Sequence, residues 1–148
     1  MVLARQEALR AENEFRRAIR DINQRRSGEN RLITTGYVGL HVGEVFYGNI
    51  GSDERLDFTV VGPAVNEVSR IAAMCNSVDR ELLVSSTFLA GLDPAGRDHF
   101  VSTGRFALRG IGRAQDLFTL DPEIRTLTPR AERYDRYLSR AFDADTGV

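Results

Sequence analysis

The stretch Arg55-Leu-Asp-Phe-Thr-Val-Val-Gly-Pro-Ala-Val-Asn-Glu-Val-Ser-Arg70 joins a strand to a helix through a Gly-Pro corner, and it restricts the fold more tightly than any other segment. Phe58, Val60 and Val61 are aromatic or β-branched and read as a half-buried strand. Gly62 permits the turn, and Pro63 suits the first helical position, where its missing N–H would be unpaired anyway. A helix to about Met74 follows, with Val65, Val68, Ala72 and Cys75 on one stripe. Asn66 and Arg70, four apart, project together on the far side. An amide and a guanidinium thus share one patch. From spacing alone, such a pair is most often a solvated helix face.

Around this corner the chain supplies a sheet. Tyr37 to Tyr47 alternates, with Val38, Leu40 and Val42 on one face and Gly39, His41 and Gly43 on the other. Glycines on a strand admit a second backbone or a ligand, although a bulge or crowding by a helix is the commoner reason. His41 has no Cys, His or carboxylate at ligand spacing and reads as a structural or exposed histidine. Gly48 to Gly51 and Ser52 to Glu54 form a turn signal; with no helix start after the glycines, a phosphate-cradling P-loop is rejected. Beyond the central helix come a loop at 76–79, a short buried strand at 82–84 and a brief helix at 86–90 closed by Gly91. Phe106 to Thr119 reads as a hairpin bending near Gly110 and Gly112, and His99 shows no partner. At the N-terminus, Ala8, Ala11, Phe15, Ala18 and Ile22 trace a helical stripe that ends at Ser27 and Gly28. The last residues, 125–148, read as a tail or linker stub, in which Tyr134, Tyr137, Leu138 and Ala141 could form a short amphipathic helix.

Composition narrows the chemistry. The chain has 148 residues, one domain's worth, and a net charge of -1 argues against general nucleic-acid or anionic-membrane binding. No apolar run is long enough to span a bilayer and the N-terminus is too charged for a secretory segment, so a cytoplasmic location is expected. The single cysteine, Cys75, excludes an intrachain disulfide and reads as a small buried hydrophobe. Every basic residue except the two histidines is arginine. Lysine-dependent chemistry is therefore closed, and phosphate contacts fall to arginine, backbone N–H groups or a metal.

The ordered segments resemble the class III nucleotidyl cyclases, the adenylate and guanylate cyclase family. Thr59 through Arg70 matches the family's Thr/Asp-Val-x-Gly-x-x-Val-Asn-x-x-x-Arg pattern. Val38 to Ser52 is similar to the strand and turn leading into it, and Glu81 to Ser86, Phe106 to Gly110 and Asp116 to Leu120 look like its closing strands. The resemblance implies an α+β, palm-like or ferredoxin-like domain over 1–124, a sheet with helices on one side, working as a homodimer or with a cyclase-domain partner. It implies conversion of ATP, in preference to GTP, to cyclic AMP and pyrophosphate in intracellular signalling. Asn66 would orient the ribose, Arg70 would stabilise transition-state charge, and Thr59 would touch the purine. Arg109 falls where many cyclases carry a basic residue near the phosphates; a solvated hairpin arginine is the equal alternative. The family's Mg2+ or Mn2+ ions need two carboxylates on strands ahead of the helix with which this chain begins, so the N-terminal βαββ unit is expected to be absent here. Asp53, Glu54 and Asp57 do not match the metal positions. The isolated chain is then expected to make no cyclic nucleotide and to self-associate through uncovered strand edges. The alternative is a non-catalytic cyclase-like module for dimerisation or nucleotide sensing.

Overall fold

The computed structural model describes residues 2–52, 55–125 and 129–143. In chain order it runs α1 (Val2–Gly28), β1 (Val38–Leu40), β2 (Phe46–Ser52), β3 (Arg55–Val61), α2 (Pro63–Ser77), β4 (Leu82–Ser85) and α3 (Ser86–Ala90). Then come α4 (Pro94–Arg97), β5 (Phe100–Phe106), β6 (Gln115–Leu120), a 3-10 turn (Pro122–Arg125) and α5 (Pro129–Asp143). The fold is α+β. Four strands form one mixed sheet in the order β1-β4-β6-β5, with β1 parallel to β4 and the other pairs antiparallel. The β2–β3 pair is a separate antiparallel ribbon.

Alternation along β4 and β6 divides the core in two. Leu82, Val84 and Leu120 join Leu9 of α1, Phe88 of α3 and Tyr134, Tyr137 and Leu138 of α5. Leu83 and Leu117, pointing the other way, join Ile71 and Cys75 of α2 with Leu108. Helices therefore cover both faces of the sheet, where the resemblance implies one. The difference comes from α1 and α5. Residues 125–148 read as a tail from sequence, yet α5 buries Tyr134, Tyr137 and Leu138 in the larger cluster. The rings of Tyr134 and Tyr137 also supply the partners that His99 lacks in the sequence, with centroids 5.1 and 5.6 Å away.

The buried face of α1 carries Arg5, Leu9, Glu12 and Arg16 rather than the expected alanine stripe, and Phe15 stays partly exposed. A hydrophobicity pattern misses this face because three of its four buried residues are charged types, two of them paired with each other. Arg16 Nε lies 2.7 Å from Glu12 Oε1, and its two Nη groups donate to the backbone carbonyls of Gly36 and Glu81. One guanidinium thereby ties α1 to the residues ahead of β1 and β4.

The expected long strand from Tyr37 to Tyr47 divides into β1 and the start of β2. Its two faces are as the alternation predicts: Val38, Leu40 and Val42 pack on the larger cluster, while Gly39 and Gly43 lie under α2. A Cβ on Gly39 would stand 3.0 Å from both Ala72 N and Val68 O. Helix crowding is thus why this face is bare. Gly48 to Gly51, read as a turn, belong to β2 and pair with β3 from Thr59 down to Leu56. The predicted hairpin at 106–119 is also shifted, because β5 already ends at Phe106 and residues 107–114 form the connection.

Candidate functional site

The strand, corner and helix around Gly62 are as the sequence predicts, but the strand's burial is not. Phe58 is 70% exposed, and Val60 and Val61 are exposed as well, because β2 and β3 leave the main sheet and nothing among the described residues covers them. Gly62 sits at φ 141°, a conformation that side-chain-bearing residues rarely adopt. Its carbonyl accepts the N–H groups of Val65 and Asn66 at 3.1 and 3.3 Å, which starts α2 immediately after the strand. At the other end Asp79 takes a left-handed conformation, φ 52°, and Arg80 N–H caps the carbonyl of Cys75 at 2.9 Å. The helix reaches Ser77, about one turn past the expected end.

Ala64, Ile71 and Cys75 anchor α2 in the core. Cys75 is fully buried, and burial pushes its thiol pKa up, so it behaves as the inert hydrophobe expected of it. Asn66 and Arg70 are both exposed on the outer side, and neither side chain bonds another described residue. Thr59 is half-buried on β3, opposite Gly48. The structure thus brings Thr59, Asn66 and Arg70 into one strand-turn-helix unit. Arg109 is exposed in the β5–β6 connection, next to Leu108, which packs against Ile71 and Cys75 of α2, and among the described residues it makes no bond to the other three.

A polar network beneath this unit was invisible in the sequence. His41 Nε2 lies 3.4 Å from Glu67 Oε2, the residue next to Asn66, and Gln115 Nε2 donates to the same oxygen at 2.9 Å. On the other side His41 Nδ1 is 2.9 Å from Ser85 Oγ and 3.3 Å from Thr87 Oγ1. With Glu67 accepting at Nε2, a neutral His41 carries its proton there and receives a hydroxyl hydrogen at Nδ1. Burial lowers the His41 pKa below its ordinary value, against the opposing pull of Glu67. Ser85 is fully buried and accepts the Phe88 N–H as the cap of α3, so it is a structural hydroxyl rather than a nucleophile. No sequence motif links positions 41, 67, 85 and 115; only the fold collects them.

No family model matches the chain. It is 32% identical over 100 residues to an uncharacterized protein of Mycobacterium tuberculosis, covering 68% of this chain and 18% of that protein. An uncharacterized protein of Mycobacterium bovis is 41% identical over 92 residues, with 62% of this chain and 15% of that protein covered. The chain thus spans under a fifth of the length of these curated relatives. Among solved structures it is similar to the adenylyl cyclase CyaB from P. aeruginosa, with a TM-score of 0.65 and 21% identity over 84% of this chain and 62% of that one. The guanylyl cyclase Cya2 gives 0.64 and 24% identity over 81% and 59%. The fold is nucleotidyl cyclase-like.

Among the described residues no group of three His, Cys, Asp or Glu side chains could hold a metal ion. Glu67, the carboxylate beside Asn66, is already engaged by His41 and Gln115. These residues do not fit the Mg2+ or Mn2+ that the resemblance implies. Asp53 and Glu54 lie outside the described residues. No described helix is long and apolar enough to cross a membrane.

Proposed function

We propose that this chain is part of a nucleotidyl cyclase and presents Asn66 and Arg70 to a nucleoside triphosphate, ATP in preference to GTP, at an interface with a second cyclase domain. The observation that carries this reading is the exposed Asn66 and Arg70 pair, unpartnered among the described residues, on a helix fixed at both ends within a cyclase-like fold. The Asn66 amide can donate and accept at once, which suits a ribose hydroxyl and ring oxygen. The Arg70 guanidinium is permanently charged and matches phosphate oxygens as a planar fork. The Thr59 hydroxyl can accept from an adenine amino group, but it can also donate, so its preference for ATP is modest. Arg109, exposed on the connection whose Leu108 packs against α2, would add a second guanidinium for the phosphates. Among the described residues no carboxylate group is gathered for a divalent ion, and in this reading its ligands come from elsewhere in a longer protein or from the partner. A homodimer or a cyclase-domain partner is supported by the β2–β3 ribbon, whose exposed Phe46, Tyr47 and Phe58 require cover. That same ribbon favours the second reading, a cyclase-like module that dimerises without chemistry.

The test uses a longer parent protein in which activity can be measured. Arg70→Ala should lower turnover by about 10²–10³ with KM nearly unchanged, because the charge it meets develops in the transition state. Asn66→Ala should behave alike through lost ribose positioning. Near-native turnover in both variants would overturn the catalytic reading and leave the dimerisation module.

A further inference from the structure

Helix α5 sorts its charges by face. Asp135 turns toward α1, where its carboxylate meets Arg17 at 3.1 Å and Asn13 at 3.5 Å. Arg133, Arg136 and Arg140, spaced by three and four residues, instead line a cavity of about 630 Å3 together with Arg130 and the segment around His99. Arg130 is committed, with Nη1 2.7 Å from Asp121 and 3.5 Å from Glu123. Arg136 uses only Nε, donating to the Glu132 carbonyl at 3.3 Å. Among the described residues no carboxylate pairs with Arg133, Arg136 or Arg140. Among the described residues the one acidic side chain lining the cavity is that of Asp98. Their field is felt nearby: His99 has a lowered pKa, first through burial and then through the charge of Arg133.

Like-charged guanidiniums gathered around one concavity repel each other, and a bound anion relieves that repulsion. The volume is in the range of small-ligand pockets, about 300–1,000 Å3. From Arg133 to Arg140 the helix rises about 10 Å, more than one phosphate can bridge. A ligand with phosphate groups in series would meet guanidiniums on successive turns.

We infer that this cavity, on the opposite side of the sheet from α2, binds a small ligand carrying two or more linked phosphate groups. The guanidinium fork supplies the recognition, two N–H donors to two phosphate oxygens at each contact. Asp98 opposes binding and sets a limit on affinity.

Calorimetric titration of the full chain with inorganic triphosphate tests this, with orthophosphate and sulfate as comparators at low and physiological salt. One-to-one binding is expected, with triphosphate about tenfold tighter than orthophosphate and weakening as salt rises. Arg133→Gln and Arg140→Gln should each weaken it about three- to tenfold, whereas Asp98→Asn should tighten it about two- to fivefold. All three positions are exposed, so melting by circular dichroism should match the parent. Arg70→Ala should leave binding unchanged, which separates this cavity from the α2 face. Absence of saturable binding, wild-type affinity in both arginine variants, or loss of binding in Arg70→Ala alone would overturn the inference.

Discussion

Replacing Arg16 with alanine should destabilise the chain by about 4 kcal/mol, within the roughly 3–5 kcal/mol seen when one member of a buried ion pair is removed. The structure gives the reasons for so large an effect. The Arg16 side chain is 7% exposed and its partner Glu12 only 2%, so solvent screens neither charge. Arg16→Ala takes away the nearest counter-charge of a buried carboxylate at 2.7 Å and the guanidinium donors of two carbonyls, those of Gly36 and Glu81. The Glu81 carbonyl keeps the Val38 N–H at 2.8 Å, so Gly36 suffers the greater loss. A domain of this size has about 5–15 kcal/mol in total, and a loss near 4 should shift the urea midpoint markedly. With no tryptophan in the chain, unfolding is best followed by far-ultraviolet circular dichroism. The double replacement Arg16→Met with Glu12→Leu should recover most of the loss, because it removes both charges and leaves chiefly the carbonyl at about 1–2 kcal/mol. A single-variant loss under about 1 kcal/mol would mean that the pair behaves as an exposed bridge. A double variant no better than the single would refute the buried carboxylate as the main cost.

Gly39→Ala should destabilise by about 1–3 kcal/mol, since its Cβ would press on the backbone of α2 at Ala72 and Val68, and an unchanged urea midpoint would show that the helix can retreat freely. His41 and His99 both have pKa values lowered from 6.5, chiefly by burial, so the unfolded chain binds protons more readily than the folded one. Their contribution is therefore present above pH about 6.5 and is lost as pH falls below it. Melting curves between pH about 8 and 5 should decline over that window, and the decline should lessen in His41→Gln; a profile flat in the parent would contradict the assignment.

The legible parts of this chain are those fixed by local chemistry. Gly62 and Pro63 specify a strand-to-helix corner whatever surrounds them, and the glycine face of β1 is explained by the helix above it. Ser85 to Gly91 likewise forms its short helix where the pattern predicts it. The misread parts depend on long-range partners. The burial of Glu12 and Arg16 requires Gly36 and Glu81, which periodicity cannot supply. The packing of Tyr134 and Tyr137 requires His99 and the sheet, so α5 looks like an appendage until the fold is known. A role for Asn66 and Arg70 is legible only through a resemblance, whereas the engagement of Glu67 between them depends on the fold that brings His41 and Gln115 beside it.

The same corner holds a helix anchored in the core and a strand left uncovered, and the sheet topology accounts for the strand. A strand rich in valine and phenylalanine is half-buried only if its sheet offers a covering layer, and β2 and β3 pair with each other alone. Register puts Phe46 opposite Val61 on one face of the ribbon and Tyr47 opposite Val60 on the other, so both faces carry apolar side chains into solvent. Tyr47 and Phe58 meet diagonally with centroids 6.0 Å apart, a contact too small to substitute for a core. Helix α2 by contrast is pinned by Ile71 and Cys75 below and by Glu67 at its side. The unit is therefore rigid where it carries Asn66 and Arg70 and bare where it carries its strand. That combination suits residues that must keep their geometry while a second surface closes over the ribbon beside them.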